Sequence, residues 1–454
     1  MSFKTRALSV LAVLVLLAVI LGVAASGATV TERSDGSIFN RKTTLHLWYN
    51  DESLTDYLNE VAVSYNESQD EYRVEPVLQS GVEYLEEINR VSVADENLPD
   101  LYIVSNDSLA KASLAGLTSQ VQDQENFDGS GVFPQAAIDA VTYDGQIVAY
   151  PFYFETAAFL YNETYLQTMA DTAGVSLEEA VPETLMDVLQ LANSFDAPEG
   201  VESVFRWDVD DIFYNYYIVG NYLNVGGAAG DDASQLDIYN TDAIRCMQVY
   251  QQLNQFFSID TDTVNYSGVL DDFANGRIAF TVATSDAAAV MREAQADGRA
   301  DFEYGVTRMP DVTDELQSKS MSVTQCLVVN GYSQEQDEAN RFIQYMIYEH
   351  NDDFYDRTGK ALAQSGYSYS DPHMDGFYEA YVDSVPLTKM REASNFWVLL
   401  ENAFSEIWNG ADAGETLRSL YEQMVVQLTG EEFTAQEIPE PEPVDINSML
   451  TGGE

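Results

Sequence analysis

The sequence is short of the residues that most often carry out chemistry. Its 454 residues include two cysteines and three histidines. Cys246 and Cys326 are too few for a disulfide framework or a thiolate metal site. They either pair once or stand as two inert buried thiols, and the second reading suits Cys246 in a helical pattern and Cys326 in a strand-like run over residues 323–329. His46, His350 and His373 are scattered, with no metal-ligand spacing and no nucleophile–base arrangement, so no metal and no cofactor are expected. Cations are scarce as well. Lys and Arg number 21 against 75 Asp and Glu, a formal net charge of −54. Such a surface repels nucleic acid and anionic headgroups, and says little else about what is bound. Apolar residues are not lacking: at 46% they exclude general disorder, and the length predicts two lobes or domains.

Lys4 and Arg6 precede an uninterrupted apolar run over residues 7–23, and small residues follow it at Ala24, Ala25, Ser26 and Gly27. Residues 1–30 therefore read as an export signal, either cleaved or kept as a membrane anchor. No cysteine follows the run, so a lipid-modified N-terminus is excluded. The expected location is the outer face of the cytoplasmic membrane or the periplasm. Residues 31–42 form a polar linker. At the other end, residues 431–454 are acidic and interrupted by proline, the composition of a disordered or extended tail.

Between them the chain alternates strand and helix patterns. Thr44-Leu-His-Leu-Trp-Tyr reads as a strand that ends at Asn50 and Asp51, and Leu54, Leu58, Val61 and Tyr65 recur at helical spacing behind an Asp51 or Ser53 N-cap. A second strand around residues 74–77, a helix over 84–91 and a third strand over 99–107 continue the alternation. Repeated βα units predict a mainly parallel sheet that binds ligand at the carboxyl ends of its strands, where Asn50, Asp51, Asn106 and Asp107 stand.

One stretch breaks the pattern. Tyr150-Pro-Phe-Tyr-Phe-Glu-Thr-Ala-Ala-Phe-Leu-Tyr-Asn162 reads as buried strand, yet it carries Glu155. A buried carboxylate is costly unless hydrogen-bonded, so Glu155 either meets backbone N–H groups or an Arg at a strand crossing, or it is an acceptor on the wall of a polar-ligand cleft.

The order of motifs resembles the extracellular solute-binding proteins of ABC importers, in the maltose-binding-protein-like branch. The Leu-Trp-Tyr-Asn-Asp first strand, Leu98-Pro-Asp100, Asp144-Gly-Gln-Ile-Val-Ala-Tyr-Pro151, Glu155, Leu160-Tyr-Asn162, Asn275-Gly-Arg-Ile-Ala-Phe280, Tyr304-Gly-Val-Thr-Arg-Met-Pro310 and Asn395-Phe-Trp397 carry the resemblance, across residues 43–428. It implies a two-lobed α/β fold of the periplasmic-binding-protein type, with helices on both faces of its sheets and a hinge of crossing strands. The lobes would comprise 43–150 with 325–360, and 151–324 with 361–430, and Glu155 would lie at the hinge floor. Asn50, Asp51, Asp107, Glu155, Asp208, Tyr214, Asp286 and Trp397 are the ligand-binding positions that follow. Asp208, Asp210 and Tyr214 either face the cleft or belong to a helix over residues 213–222 that the aspartates cap, with Trp207 in the core. Trp397 stands where the family stacks a Trp on a sugar ring, while Trp48 and Trp408 read as core. Asp286 and Val104 replace aromatic stacking residues of the maltose-type proteins, and Ser108 replaces a basic one.

Three function classes follow. A monomeric binding protein that captures an oligosaccharide and hands it to a membrane permease accounts for the signal, the βα order and the cleft residues together. A binding protein for a cationic ligand such as a polyamine would use Asp51, Asp107, Glu155, Asp208 and Asp286 as an acidic cage. An exported glycoside hydrolase would need Glu155 with Asp107 or Asp51 as its carboxylate pair.

Overall fold

A computed structural model describes residues 42–444 and Ile446, apart from Glu96, Asp128, residues 195–199 and Asp262. The signal segment, nearly all of the linker, Phe195 and the last residues of the tail lie outside the described residues. The described chain opens as its pattern predicts. Strand β1 (Thr43–Tyr49) runs into a single 3₁₀ turn at Glu52–Leu54 and then helix α1 (Thr55–Ser68), which buries Tyr57, Leu58, Val61, Ala62 and Tyr65 along one stripe. Strand β2 (Tyr72–Leu78) returns parallel to β1, helix α2 (Tyr84–Ala94) ends at a left-handed Asp95, and β3 (Leu101–Ser105) joins the other side of β1, again in parallel.

Strand β4 (Tyr150–Thr156) leaves this first lobe. A single residue, Ala157, separates it from β5 (Ala158–Asn162), which belongs to a different sheet. That second sheet gathers β6 (Ser203–Phe205), β7 (Ile278–Ala283) and β8 (Tyr304–Thr307) in the order β8-β5-β7-β6. The chain comes back along β9 (Met321–Val329), which lies between β4 and β3, and adds two short strands, β10 (Ala361–Leu362) beside β4 and β11 (Val385–Pro386) beside the start of β9. The large sheet thus has seven strands and the small one four, each the centre of a lobe.

The sheets are mixed, not mainly parallel. β9 runs antiparallel to both β3 and β4, and β5 runs antiparallel to both β7 and β8. The reason is the crossing itself: a strand that leaves a lobe and a strand that returns to it lie side by side in opposite senses. Between the lobes sits the helix α3 (Met374–Val382). Tyr381 stacks on Phe154 of β4 at 3.9 Å and shares a 2.8 Å hydrogen bond with Thr324 of β9, while a Cβ on Gly376 would stand 2.3 Å from the Val306 carbonyl of β8. Only glycine lets the helix lie that close to the small sheet.

Two further expectations are corrected. Residues 213–222 form no helix; two 3₁₀ turns, Ile212–Tyr214 and Tyr216–Ile218, stand there. The acidic segment from residue 431 is extended but not loose in its described part, because apolar residues are spaced through it. Val444 and Ile446 are buried, the Gln252 amide donates to the Val444 carbonyl at 2.7 Å, and the Ala435 N–H donates to Glu422 at 3.0 Å. Other expectations hold: Cys246 and Cys326 are buried free thiols, and Trp48, Trp207 and Trp408 are in the core.

Candidate functional site

Polar side chains collect at the hinge end of the large-sheet lobe. Asp51 caps the turn after β1, and its Oδ1 accepts from the Ser53 N–H at 3.0 Å and the Ser53 hydroxyl at 2.6 Å. Its Oδ2 accepts from the Tyr153 hydroxyl at 3.2 Å and lies 3.2 Å from the ammonium of Lys360. Burial opposes the charge on Asp51, but the Ser53 hydroxyl, the Lys360 cation and the Ser53 N–H outweigh it and hold the carboxyl below its ordinary range. Glu155 faces Val323 across the crossing strands and is the one exposed residue of β4, so the expected buried carboxylate is instead half open to water. Its partner is again Lys360, at 3.6 Å from Oε1. β10 positions that lysine: Ala361 pairs with Phe154, which brings the preceding residue beside Glu155. Asn50 is exposed alongside.

Asp107 is also exposed, accepting from the hydroxyls of Ser105 and, at 3.4 Å, Ser108. Its neighbour Asn106 is not available to a ligand. It is fully buried, with its amide donating to the Leu387 carbonyl at 2.9 Å and its carbonyl oxygen accepting from the Thr324 N–H at 3.1 Å.

The small-sheet lobe gathers the remaining positions. Tyr214 stacks on Tyr266 with ring centroids 4.6 Å apart and planes 10° from parallel. The Tyr266 hydroxyl donates to Asp286 at 2.7 Å and lies 3.0 Å from the Thr284 hydroxyl, at the carboxyl end of β7. Asp208 is nearly buried and accepts from the Asp210 N–H at 3.1 Å; burial raises its carboxyl above the ordinary range despite that bond. Asp211, and neither Asp208 nor Asp210, caps the 3₁₀ turn that carries Tyr214. Trp397, in the first turn of helix Phe396–Trp408, is partly exposed and meets Tyr216 edge-on at 5.5 Å. One turn further, Glu401 accepts from the Ile212 N–H at 3.5 Å, and burial with the charges of Asp211, Asp210 and Asp208 raises its carboxyl.

The eight expected positions therefore fall into two sets, one per lobe. Among the described residues no hydrogen bond or ion pair joins the two. Three members escaped the sequence reading: Lys360, Tyr266 and Glu401. A signal existed for the first, one of few cations in the chain and set at the expected lobe boundary between residues 360 and 361. Nothing local marks Tyr266 or Glu401, which reach the site through packing of helices distant in sequence.

A model of the bacterial extracellular solute-binding protein family matches residues 60–355. The chain belongs to that family. No curated protein sequence matches the chain. Solved structures do. An extracellular solute-binding protein of Staphylococcus aureus in complex with maltose is 18% identical, with 86% of this chain and 98% of that one covered at a TM-score of 0.72. A maltose-binding periplasmic protein of Listeria monocytogenes, also in complex with maltose, is 19% identical over 87% of this chain and all of its own, at 0.70. A cyclo/maltodextrin-binding protein complexed with maltotetraose is 18% identical, over 87% and 100%, at 0.71. The likeness establishes a two-lobed maltose-binding-protein-like fold. In this solute-binding protein the Tyr214–Tyr266 stack lies beside Asp286, and Val104 is buried in β3.

Proposed function

We propose that this solute-binding protein captures a neutral oligosaccharide between its lobes and delivers it, unchanged, to the permease of an ABC importer, acting as a monomer at the outer face of the membrane. The family membership supports the capture role, and the sugars bound by the similar structures support the ligand class. The observation that carries the reading is the division of chemistry between the lobes. One wall offers Glu155 and Lys360 at the hinge, an acceptor and a donor; the other offers Trp397 and the Tyr214–Tyr266 pair. Hydroxyls and C–H faces of a sugar need both. A ligand that touches both walls binds the closed arrangement better and shifts the lobes toward it.

The same geometry disfavours a hydrolytic Glu155–Asp51 pair. Asp51 already accepts from three donors and lies beside an ammonium, which suits neither a free nucleophile nor a proton donor. The test is calorimetry on the chain without its first 30 residues, after a thermal-shift screen of neutral oligosaccharides and polyamines. Glu155→Gln and Trp397→Ala are each expected to weaken sugar binding more than about tenfold, or about 1.4 kcal/mol. Wild-type affinity in both variants would displace the cleft, and stabilisation by polyamines alone would replace the sugar with a cation.

A further inference from the structure

We propose that Lys360 is the specificity-determining residue of the hinge wall, reading a neutral pair of adjacent hydroxyls together with Glu155 and excluding cationic ligands. The inference rests on the carbohydrate reading and narrows it. Asp51 and Glu155 differ in what they have left to give. Asp51 holds Ser53 through one oxygen and Tyr153 with Lys360 through the other, so its lone pairs are committed. Glu155 is half exposed, and among the described residues its ion-pair partner is Lys360, at 3.6 Å from Oε1. Asp51 is thus a positioning residue for the lysine, and Glu155 is the acceptor a ligand meets.

The ammonium does two things at once. It offsets one of the two carboxylate charges in what would otherwise be a cation site, and sets a positive charge beside Glu155 in a protein whose surface is already strongly negative. An amine arriving at Glu155 would be repelled by the Lys360 ammonium, which Asp51 and the ring face of Tyr153, 5.6 Å away, hold in place. A neutral diol meets no such repulsion: one hydroxyl donates to Glu155 and its neighbour accepts from Lys360, whose three donors are not all taken by the two carboxylates. The lysine therefore turns an acidic pocket into a donor–acceptor pair, and the discrimination comes as much from what it repels as from what it binds.

The experiment compares wild type and Lys360→Met by calorimetry with maltotetraose and with spermidine, at low and high salt. The variant should bind maltotetraose at least about tenfold more weakly, and should gain spermidine affinity of at least about tenfold that falls as salt rises. A purely structural lysine would weaken the fold and create no affinity for a polyamine. Retained maltotetraose affinity in the variant overturns the proposal. So does equal spermidine binding by the two proteins, a result that stands whether or not maltotetraose proves to be a ligand. Spermidine binding by wild type without any sugar binding would instead sink the carbohydrate reading on which the proposal rests.

Discussion

Arg292, on the small-sheet lobe, donates to the hydroxyl of Tyr355, on the large-sheet lobe, at 3.0 Å. The same guanidinium pairs with Asp371 at 3.1 Å, in the segment that leads into the helix between the lobes. Arg292 lies on helix Ala287–Ala296, which begins next to Asp286 in the candidate site, so the helix beside that site also carries the interlobe contact. Because the arginine is mostly exposed, the contact is worth about 0.5–1 kcal/mol. Arg292→Ala is expected to loosen the lobes, seen as a larger radius of gyration by small-angle scattering without ligand, and to change sugar affinity by about two- to fivefold. Identical scattering and affinity would leave the contact without a role in lobe geometry.

His373 and Asp371 make the arrangement sensitive to pH. Both ring nitrogens of His373 face acceptors, Asp371 at 2.7 Å and the Tyr304 carbonyl at 2.9 Å, which only the imidazolium satisfies. Burial opposes that charge, but Asp371 outweighs it and raises the His373 pKa. Burial likewise opposes ionisation of Asp371, while the His373 ring, Arg292 and the His373 N–H hold it down at about 2. The histidine's contribution is present below its unfolded value and is lost as pH rises through the raised one. The aspartate's is present above its unfolded value, near 4, and is lost as pH falls toward 2, an effect of about 2 kcal/mol. Stability in urea should therefore be greatest between about pH 4 and 6.5 as far as this pair is concerned, and His373→Gln should flatten the neutral limb. A neutral limb unchanged in the variant would assign it to other groups.

Much of this was legible in the sequence, and the parts that were not share a cause. The first βα unit needed only the spacing of Leu54, Leu58, Val61 and Tyr65 and a capping Asp51, all local information. The hinge strand was marked by a lone carboxylate in an aromatic run, but its burial was misjudged, because no sequence pattern says that one residue of a crossing strand points into the space between two lobes. Residues 213–222 looked helical because tyrosine and isoleucine suit any buried segment; tertiary packing of Tyr216, Tyr217 and Ile218 decided otherwise. Lys360 and Tyr266 join the site only through strand pairing and ring stacking between residues far apart in the chain.

The segment beyond residue 431 gives a direct check on one corrected expectation. Ile446 is fully buried and its N–H donates to Gln252 at 3.4 Å. Ile446→Ala leaves the charge unchanged and removes a packed aliphatic side chain, at an expected cost of about 2–4 kcal/mol. Chemical denaturation reads it. A midpoint equal to wild type would return the tail to the loose state its composition suggests.

A net charge of −54 must be carried by a single folded chain, and like charges on a compact surface repel. Raising ionic strength from 0.1 to 1 M shortens the screening length from about 10 to about 3 Å, so the melting midpoint should rise by roughly 5 °C or more. Sodium and potassium chloride should act alike if screening is the cause. A flat or falling midpoint would mean that the carboxylates are already spaced widely enough for water alone to separate them.

Tyr266 decides whether aromatic surface or hydroxyl placement matters on the small-sheet wall. Its ring lies flat against Tyr214, and its hydroxyl binds Asp286 and Thr284. Tyr266→Phe keeps the stacked face and frees Asp286, whereas Tyr266→Ala removes both. If the stack presents a face to a sugar, the phenylalanine variant should lose no more than about threefold in affinity and the alanine variant at least about tenfold, the difference corresponding to about 0.7 kcal/mol or more of aromatic contact. Equal losses in the two variants would move the contribution to the hydroxyl and the carboxylate that it holds. Calorimetry with maltotetraose separates the cases, provided both variants melt within a few degrees of wild type.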